Sequence, residues 1–451
     1  MTPNPDDAAT IATTSDGGPG SGRTDASSPG HPTGDAMSPS SKDGAVLTRG
    51  PTPPTAGSKF PFPQNRQSSS CAYPTAYNND DVKAAYAQWK NDTVTSSGAN
   101  GFLRVQRTPS DLTLSPGSTV SEGIGYGMLL AVYMNDQQLF DGLWKYEQSH
   151  LGSCPPQPGV CPAMELMDWY ISADGTMALG TGGATDADED MAFALVMADK
   201  QWGGQGSLAK SYRQYALDQI AAVWVLEVFQ SMFLKPGTWG DSSTLNPSYF
   251  APAYYRVFKQ YGGNLPNGDS GMSWNPNWDA IIDSSYAVID ASLNAANGNQ
   301  NDGLVPAWCT NGGAPNGAAI MGGNATNYQY DSCRTPFRIA LDWCWNAEPR
   351  AQAYLAKTSG FFSGIGVANI VDGYALNGTP QPQNPGKQSA AFIGPATVGA
   401  MSSASYQPFV NDGYAAVATG KLLAGGAYYE ESWTTLSLLM MTANFLNYSA
   451  L

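Results

Sequence analysis

The stretch Ala184-Thr185-Asp186-Ala187-Asp188-Glu189-Asp190-Met191-Ala192-Phe193-Ala194-Leu195 sets four acidic residues within five positions, where a glycine-rich loop runs into an apolar helix. One acid at such a junction is ordinary. Asp186 or Asp188 alone would cap the first turn and meet the positive end of the helix dipole. Four acids go beyond that need, because charge near a core is costly unless something compensates or uses it. The residues that follow are apolar on every side, which predicts a helix buried all round. A buried helix with carboxylates at its mouth is a setting for acid chemistry.

Outward from this helix the same texture recurs. Asn79-Asp80 caps a helix with Val82, Ala85, Tyr86 and Trp89 on one face. Periodic runs predict further helices near 122–134, 137–149, 187–199, 208–230, 251–262, 275–296, 336–346, 349–360, 389–401, 407–422 and 431–446, about twelve in all. Runs 187–199 and 434–446 are apolar nearly all round, whereas 80–91 is amphipathic. Alternation of fully buried and half-exposed helices predicts two concentric layers in one large all-α domain, residues 66–451, closed as a helical toroid. Residues 1–65 are rich in Pro, Gly, Ser, Thr and Asp, and are expected to be a disordered tail or linker. That segment has no apolar h-region, so it is not a secretory signal as it stands, and no run is long enough to span a membrane.

Composition removes several chemistries. The chain has two histidines, and His31 lies in the tail, so a Ser-His-Asp or Cys-His centre would have to use His150. No nucleophile-elbow, HExxH, close CxxC, Walker or strand-anchored GxGxxG pattern occurs, so neither metal nor cofactor is expected. A net charge of −15 argues against nucleic acid. Aromatic residues make up 11% of the chain and charged ones only 13%, a balance suited to stacking on sugar rings, although most aromatics are expected in the core. Of six cysteines, Cys154 and Cys161 bracket a Pro-rich loop that suits a local disulfide in an exported protein, and Cys333 and Cys344 are expected as reduced core residues.

Three loop-to-helix junctions each offer an acid. Glu122 lies in Ser121-Glu122-Gly123-Ile124-Gly125-Tyr126-Gly127-Met128, where glycines permit close approach and Ser121 is a candidate cap. Asp186 opens the acidic run. Asp331 lies in Tyr330-Asp331-Ser332-Cys333-Arg334-Thr335-Pro336, whose proline fits a first helical turn. Each alone reads as a helix-start acid; three, each beside aromatics and glycine, point to a shared site.

These three motifs resemble the landmarks of glycoside hydrolase family 8. So do Asn246-Pro247-Ser248-Tyr249-Phe250-Ala251-Pro252, Asp302-Gly303-Leu304-Val305-Pro306-Ala307-Trp308-Cys309 and Phe392-Ile393-Gly394-Pro395. The resemblance implies an (α/α)6 barrel and inverting hydrolysis of β-1,4-linked polysaccharides, mostly endo-acting. By motif, Glu122 would be the general acid, Asp331 the general base, and Asp186 would hold the distorted sugar. Trp169 and Trp239 would stack on substrate, with Tyr249, Tyr330 and Arg334 nearer the chemistry and Tyr428, or equally Tyr429, contributing. Asp188, Glu189 and Asp190 are expected to be structural or supporting.

Inversion needs room for a water between the two acids, so they should face each other across a cleft. Asp331, near Arg334 and a helix start, is expected to stay ionised; Glu122 needs a raised pKa, which a neighbouring Asp186 would supply. Glu122 and Asp186 should therefore be close, with Asp331 farther off. The flanking motifs resemble endo-1,4-β-glucanases, which implies cellulose or related β-glucan, with xylan next and chitosan after it. A non-catalytic polysaccharide-binding protein would lack one of the acids. A secreted monomer is expected.

Overall fold

The computed structural model describes residues 57–107, 115–152, 166–240, 243–262, 276–317, 326–422 and 427–451. Twelve α-helices run through them: α1 (Asn79–Thr93), α2 (Ser121–Tyr133), α3 (Gln137–Gln148), α4 (Thr185–Gln201), α5 (Tyr212–Glu227), α6 (Pro252–Gly262), α7 (Trp278–Ser292), α8 (Thr335–Asn346), α9 (Pro349–Ile365), α10 (Ala390–Ala400), α11 (Gln407–Ala418) and α12 (Ala427–Met441). All fall where periodicity predicts them, with shifted ends. The last begins at Ala427 and is over before Ala443, whose φ of 57° lies in the left-handed region. Capping differs in detail: Asn78, not Asn79, accepts from the Asp80 N–H, and neither Ser121 nor Asp186 serves as N-cap.

The helices form two layers. The even-numbered helices touch in a closed cycle, α2 to α4, α6, α8, α10, α12 and back to α2. Each odd-numbered helix lies outside it: α1 on α12, α3 on α2, α5 on α4, α7 on α6, α9 on α8 and α10, α11 on α10 and α12. Burial follows the apolar pattern. Helices α2, α4 and α10 are buried along most of their length, whereas α3 buries one face through Leu139, Phe140, Leu143, Trp144 and Tyr146. The alternating glycines of α2 let it seat closely. A Cβ on Gly125 would press on Ala187 O at 3.2 Å in α4, and one on Gly127 would meet Leu143 Cδ1 at 2.7 Å in α3.

Five short strands edge the helices. Val94–Thr95 (β1) pairs antiparallel with Arg104–Val105 (β2). Thr119–Val120 (β3), Tyr170–Ile171 (β4) and Ala178–Gly180 (β5) form a second antiparallel sheet in the order β3-β4-β5. Strand β3 leads directly into α2 and so fixes the entry of Glu122.

The inner helices share one polarity. Glu122 begins α2, Asp186 begins α4, Tyr249 precedes α6, Asp331 and Arg334 precede α8, and Tyr428 begins α12, and all line one pocket. Helix α10 starts at the same end, where Glu430 of α12 accepts from Ser389 Oγ at 2.6 Å and from the Ala391 N–H at 3.0 Å.

The opposite end is closed by residues 58–72. Ser58 Oγ donates to Asn135 Oδ1 (2.6 Å) past α2, and the Lys59 N–H to Gln201 O (2.9 Å) at the end of α4. The Arg66 N–H reaches Ala443 O (2.9 Å) past α12, and the Ala72 N–H reaches Met401 O (2.7 Å) past α10. Phe60 stacks on Tyr448 at 4.5 Å. A disulfide joins Cys71 to Cys344 at the end of α8. Cys344 is therefore not a reduced core thiol; Cys309 and Cys333 are, and both are buried. Cys154 and Cys161 lie outside the described residues.

Candidate active site

At the mouth of the inner ring one guanidinium holds three carboxylates. Arg334, buried, donates from Nη1 to Glu122 Oε1 and to Asp186 Oδ2 (2.7 Å), and from Nη2 to Asp331 Oδ1 (3.1 Å). Its Nε donates to Ser248 Oγ at 3.1 Å, and its plane lies 5.0 Å over the Tyr249 ring. Ser248 and Tyr249 come from the turn before α6, so this contact spans α2, α4, α6 and α8. Planar, forked donors suit such a hub better than a point charge. Burial works against the arginine's charge, but Tyr429, Tyr126, Glu122 and Asp186 outweigh it and hold its pKa well above the ordinary value.

Three acids around one cation leave an excess of negative charge in a dry place, so a proton is retained there. The Glu122 pKa is raised, first by burial and then by Asp186; Arg334, Tyr126 and Tyr428 pull the other way. Burial, not Asp186, is thus the larger cause. Glu122 also accepts from Tyr126 Oη (2.7 Å) on Oε1 and Tyr428 Oη (2.8 Å) on Oε2. As expected, Glu122 and Asp186 are neighbours, sharing one nitrogen, while Asp331 takes the other.

Asp331 is fixed from three sides. Besides Arg334 it accepts from Trp308 Nε1 and Gln329 Nε2, both at 3.0 Å and both on Oδ2. Its pKa is nonetheless raised, because burial exceeds the stabilisation by Arg334, Gln329 and Trp308. The helix start contributes no capping bond, since the Asp331 side chain makes none.

Trp169, Tyr249 and Tyr428 wall the pocket that holds these acids. Gly180 lies flat against the Trp169 indole, where a Cβ would come within 2.3 Å of Cε2. Two other expected residues sit elsewhere. Tyr330 is buried with its hydroxyl on Asp372 Oδ2 (2.9 Å) and its ring edge-on to Phe392, so it supports the site rather than lining it. Trp239 is half-buried, tilted against Trp308 at 6.4 Å.

A model of the family described as glycosyl hydrolases family 8 matches residues 62–443. The chain belongs to glycosyl hydrolase family 8. Endoglucanase A of Acetivibrio thermocellus is 38% identical over 371 residues, spanning 81% of this chain and 70% of that protein. Endoglucanase 2 of Ruminiclostridium josui is 36% identical over 402 residues, 87% of this chain and 78% of that one. The apo structure of a β-1,3-1,4-glucanase from Paenibacillus sp. X4 superposes with a TM-score of 0.73 at 30% identity, covering 85% of this chain and 98% of that one. This protein is a glycoside hydrolase of the cellulase type.

Behind the pocket of this family 8 enzyme, the other acids of the 184–195 stretch are structural. Arg338 grips Asp190 with both terminal nitrogens at 2.9 Å and pairs with Glu189 at 3.2 Å; Tyr255 Oη also donates to Glu189. Asp188 is raised well above the ordinary value by burial and by Glu227 and Glu147 nearby. Burial also pushes Glu147 and Glu227 up to about 8, so both are protonated at neutral pH. His150 is tied to Tyr146 O and lies apart from the acids. A larger groove between α7 and α9 is lined by Tyr286, Ile289, Leu293 and Tyr354, but none of the three acids reaches it. Among the described residues no group of three or more His, Cys, Asp or Glu side chains could hold a metal ion.

Arg107 and Tyr126 stand at the site outside the candidates legible in the sequence. Arg107 lines the pocket with its guanidinium 5.7 Å over the Tyr428 ring; its position is set by pairing across the sheet edge, which no local motif encodes. Tyr126, four residues after Glu122, has the helical spacing that would have revealed it.

Proposed function

We propose that the protein is an endo-acting, inverting hydrolase of β-1,4-glucosidic bonds in cellulose or related β-glucans, with Glu122 as general acid and Asp331 as general base. The reading rests on one observation: Arg334 gathers carboxylates from α2, α4 and the start of α8 inside an aromatic-walled pocket. Two oxygens bonded to opposite ends of one guanidinium lie at most roughly 8 Å apart at ordinary hydrogen-bond lengths. That bound reaches the roughly 6.5–9.5 Å that leaves room for water in an inverting site. Glu122 protonates the glycosidic oxygen, and Asp331 takes a proton from the water that attacks the anomeric carbon from the other face. Asp186, on the Glu122 side, holds the sugar at the cleavage point. Trp169, Tyr249 and Tyr428 stack on or bond to the sugars, Trp239 lies beyond them, and Tyr330 supports the site from behind.

The endoglucanase relatives support a β-glucan substrate, and relatives named as xylose-releasing oligoxylanases are more distant, at 25% identity or less. The cycle of even-numbered helices supports the (α/α)6 barrel. The catalytic domain extends N-terminally of residue 66 to include 57–65, behind a linker or tail. Cys71–Cys344 supports export, since structural disulfides persist in oxidising compartments. Among the described residues no helix is long and apolar enough to cross a membrane. The protein is proposed to act as a monomer.

The test is Glu122→Gln, assayed by reducing-sugar release on carboxymethylcellulose, xylan and chitosan in parallel. Hydrolysis should vanish while oligosaccharide binding by calorimetry persists, and wild type should act first on the glucan. NMR of the nascent product should show the α-anomer. Substantial turnover by the variant refutes the acid assignment.

A further inference from the structure

We propose that Trp308 and Gln329 are positioning residues for Asp331: together they saturate Oδ2, leaving Oδ1 as the oxygen that accepts the proton of the attacking water. This rests on the reading of Asp331 as the base.

A carboxylate offers about four in-plane lone-pair positions, two on each oxygen. Oδ2 receives two N–H donors, from Trp308 and Gln329, and Oδ1 receives one, from Arg334. The position left for water is therefore on Oδ1, the oxygen turned toward the arginine that also carries Glu122 and Asp186. When the water attacks, its proton passes to Oδ1, its oxygen bonds to the anomeric carbon, and the departing oxygen takes the Glu122 proton. Charge balances without a further reactant.

Both donors are locked. The Gln329 amide has one allowed orientation, because its Oε1 accepts the Asp331 N–H at 3.0 Å, so its NH2 must face Oδ2. Trp308 is buried, with Tyr249 edge-on at 6.1 Å and Trp239 tilted against it. Its chain is pinned on both sides. Ala307 N–H donates to Asn327 O at 2.9 Å, and Cys309 and Leu245 exchange two backbone bonds at 2.7 and 2.9 Å. A neutral donor pair in this place fixes the plane of the carboxylate and favours its ionised form, against burial that opposes it.

Trp308→Phe keeps a ring and removes the N–H; Gln329→Met keeps length and removes the amide. Each should lower kcat roughly 10- to 100-fold, the worth of a hydrogen bond to a charged group, with KM changed little. The acidic limb of the pH–kcat profile should move up by about one unit, which a merely structural role would not produce. Asp331→Asn must abolish hydrolysis, and if it does not, the base assignment fails. If Asp331→Asn is inactive while both single variants keep the wild-type acidic limb, the positioning role alone is overturned. Urea unfolding of Gln329→Met guards against misfolding; a folded variant with an unmoved limb also overturns it.

Discussion

Removing the hub is the most informative perturbation. Arg334→Met keeps an unbranched chain of similar reach and deletes the charge. The guanidinium serves carboxylates whose side chains are 16%, 4% and 8% exposed, for Glu122, Asp186 and Asp331, so solvent cannot replace it. Three charge-assisted bonds at about 1.5–3 kcal/mol each set an upper range, but the acids relieve themselves by taking up protons. Breaking a buried ion pair from one side costs about 3–5 kcal/mol, which is the loss expected at pH 7. The loss must depend on pH. Without Arg334 the folded acids bind protons more tightly than in wild type, so the variant loses further stability as pH rises. The difference from wild type should shrink toward pH 4 and be largest at neutrality. Hydrolysis should fall about 10²–10⁴-fold, because Asp331 then holds a proton where it must be bare. Urea unfolding at pH 4, 5.5 and 7, with reducing-sugar release, reads both effects. A variant within about 0.5 kcal/mol of wild type at pH 7, or a loss independent of pH, would refute the hub.

Three further outcomes follow from the same structure. Tyr428→Phe removes a donor from Glu122 Oε2, which raises the acid's pKa further and should shift the alkaline limb of the pH–rate profile upward; an unmoved limb would show that Tyr428 does not govern this proton. Burial raises Glu147 and Glu227 from 4.5 to about 8, so the stability due to their protons is complete below about pH 4.5 and is lost as pH rises to about 8. Glu147→Gln or Glu227→Gln should therefore gain on wild type with rising pH, by a few kcal/mol at most, and a flat difference in urea midpoint over that window would contradict it. Replacing Cys71 and Cys344 by alanine opens a closure of 273 residues and should cost about 2–5 kcal/mol in urea unfolding, with activity retained in the folded protein; no change in midpoint would argue against the bond.

The layers were readable because burial leaves a compositional mark: α10, and α4 from Met191 to Ala198, are apolar on all sides, and α3 on one. The acids were readable because Glu122, Asp186 and Asp331 stand where glycines and aromatics surround a helix start. Local sequence carries no such mark for partners far along the chain. Arg334 and Glu122 are 212 positions apart, and Trp308 announces nothing of its bond to Asp331 beyond lying in an aromatic-rich motif. The closing segment was hidden for another reason. Residues 58–72 bond through irregular backbone to the ends of helices, so no periodicity betrays them, although Phe60, Phe62 and Cys71 pack against the core. Opposing effects at Asp331 could not be ranked without knowing its burial.

The strap of residues 58–72 holds the first described residues at the far end of the ring. Helix α2 alone spans about 20 Å. Gly57 and Ser58 therefore lie at the end of the ring away from the pocket that holds the three acids. Attaching this enzyme to a surface through that face would leave the pocket directed outward.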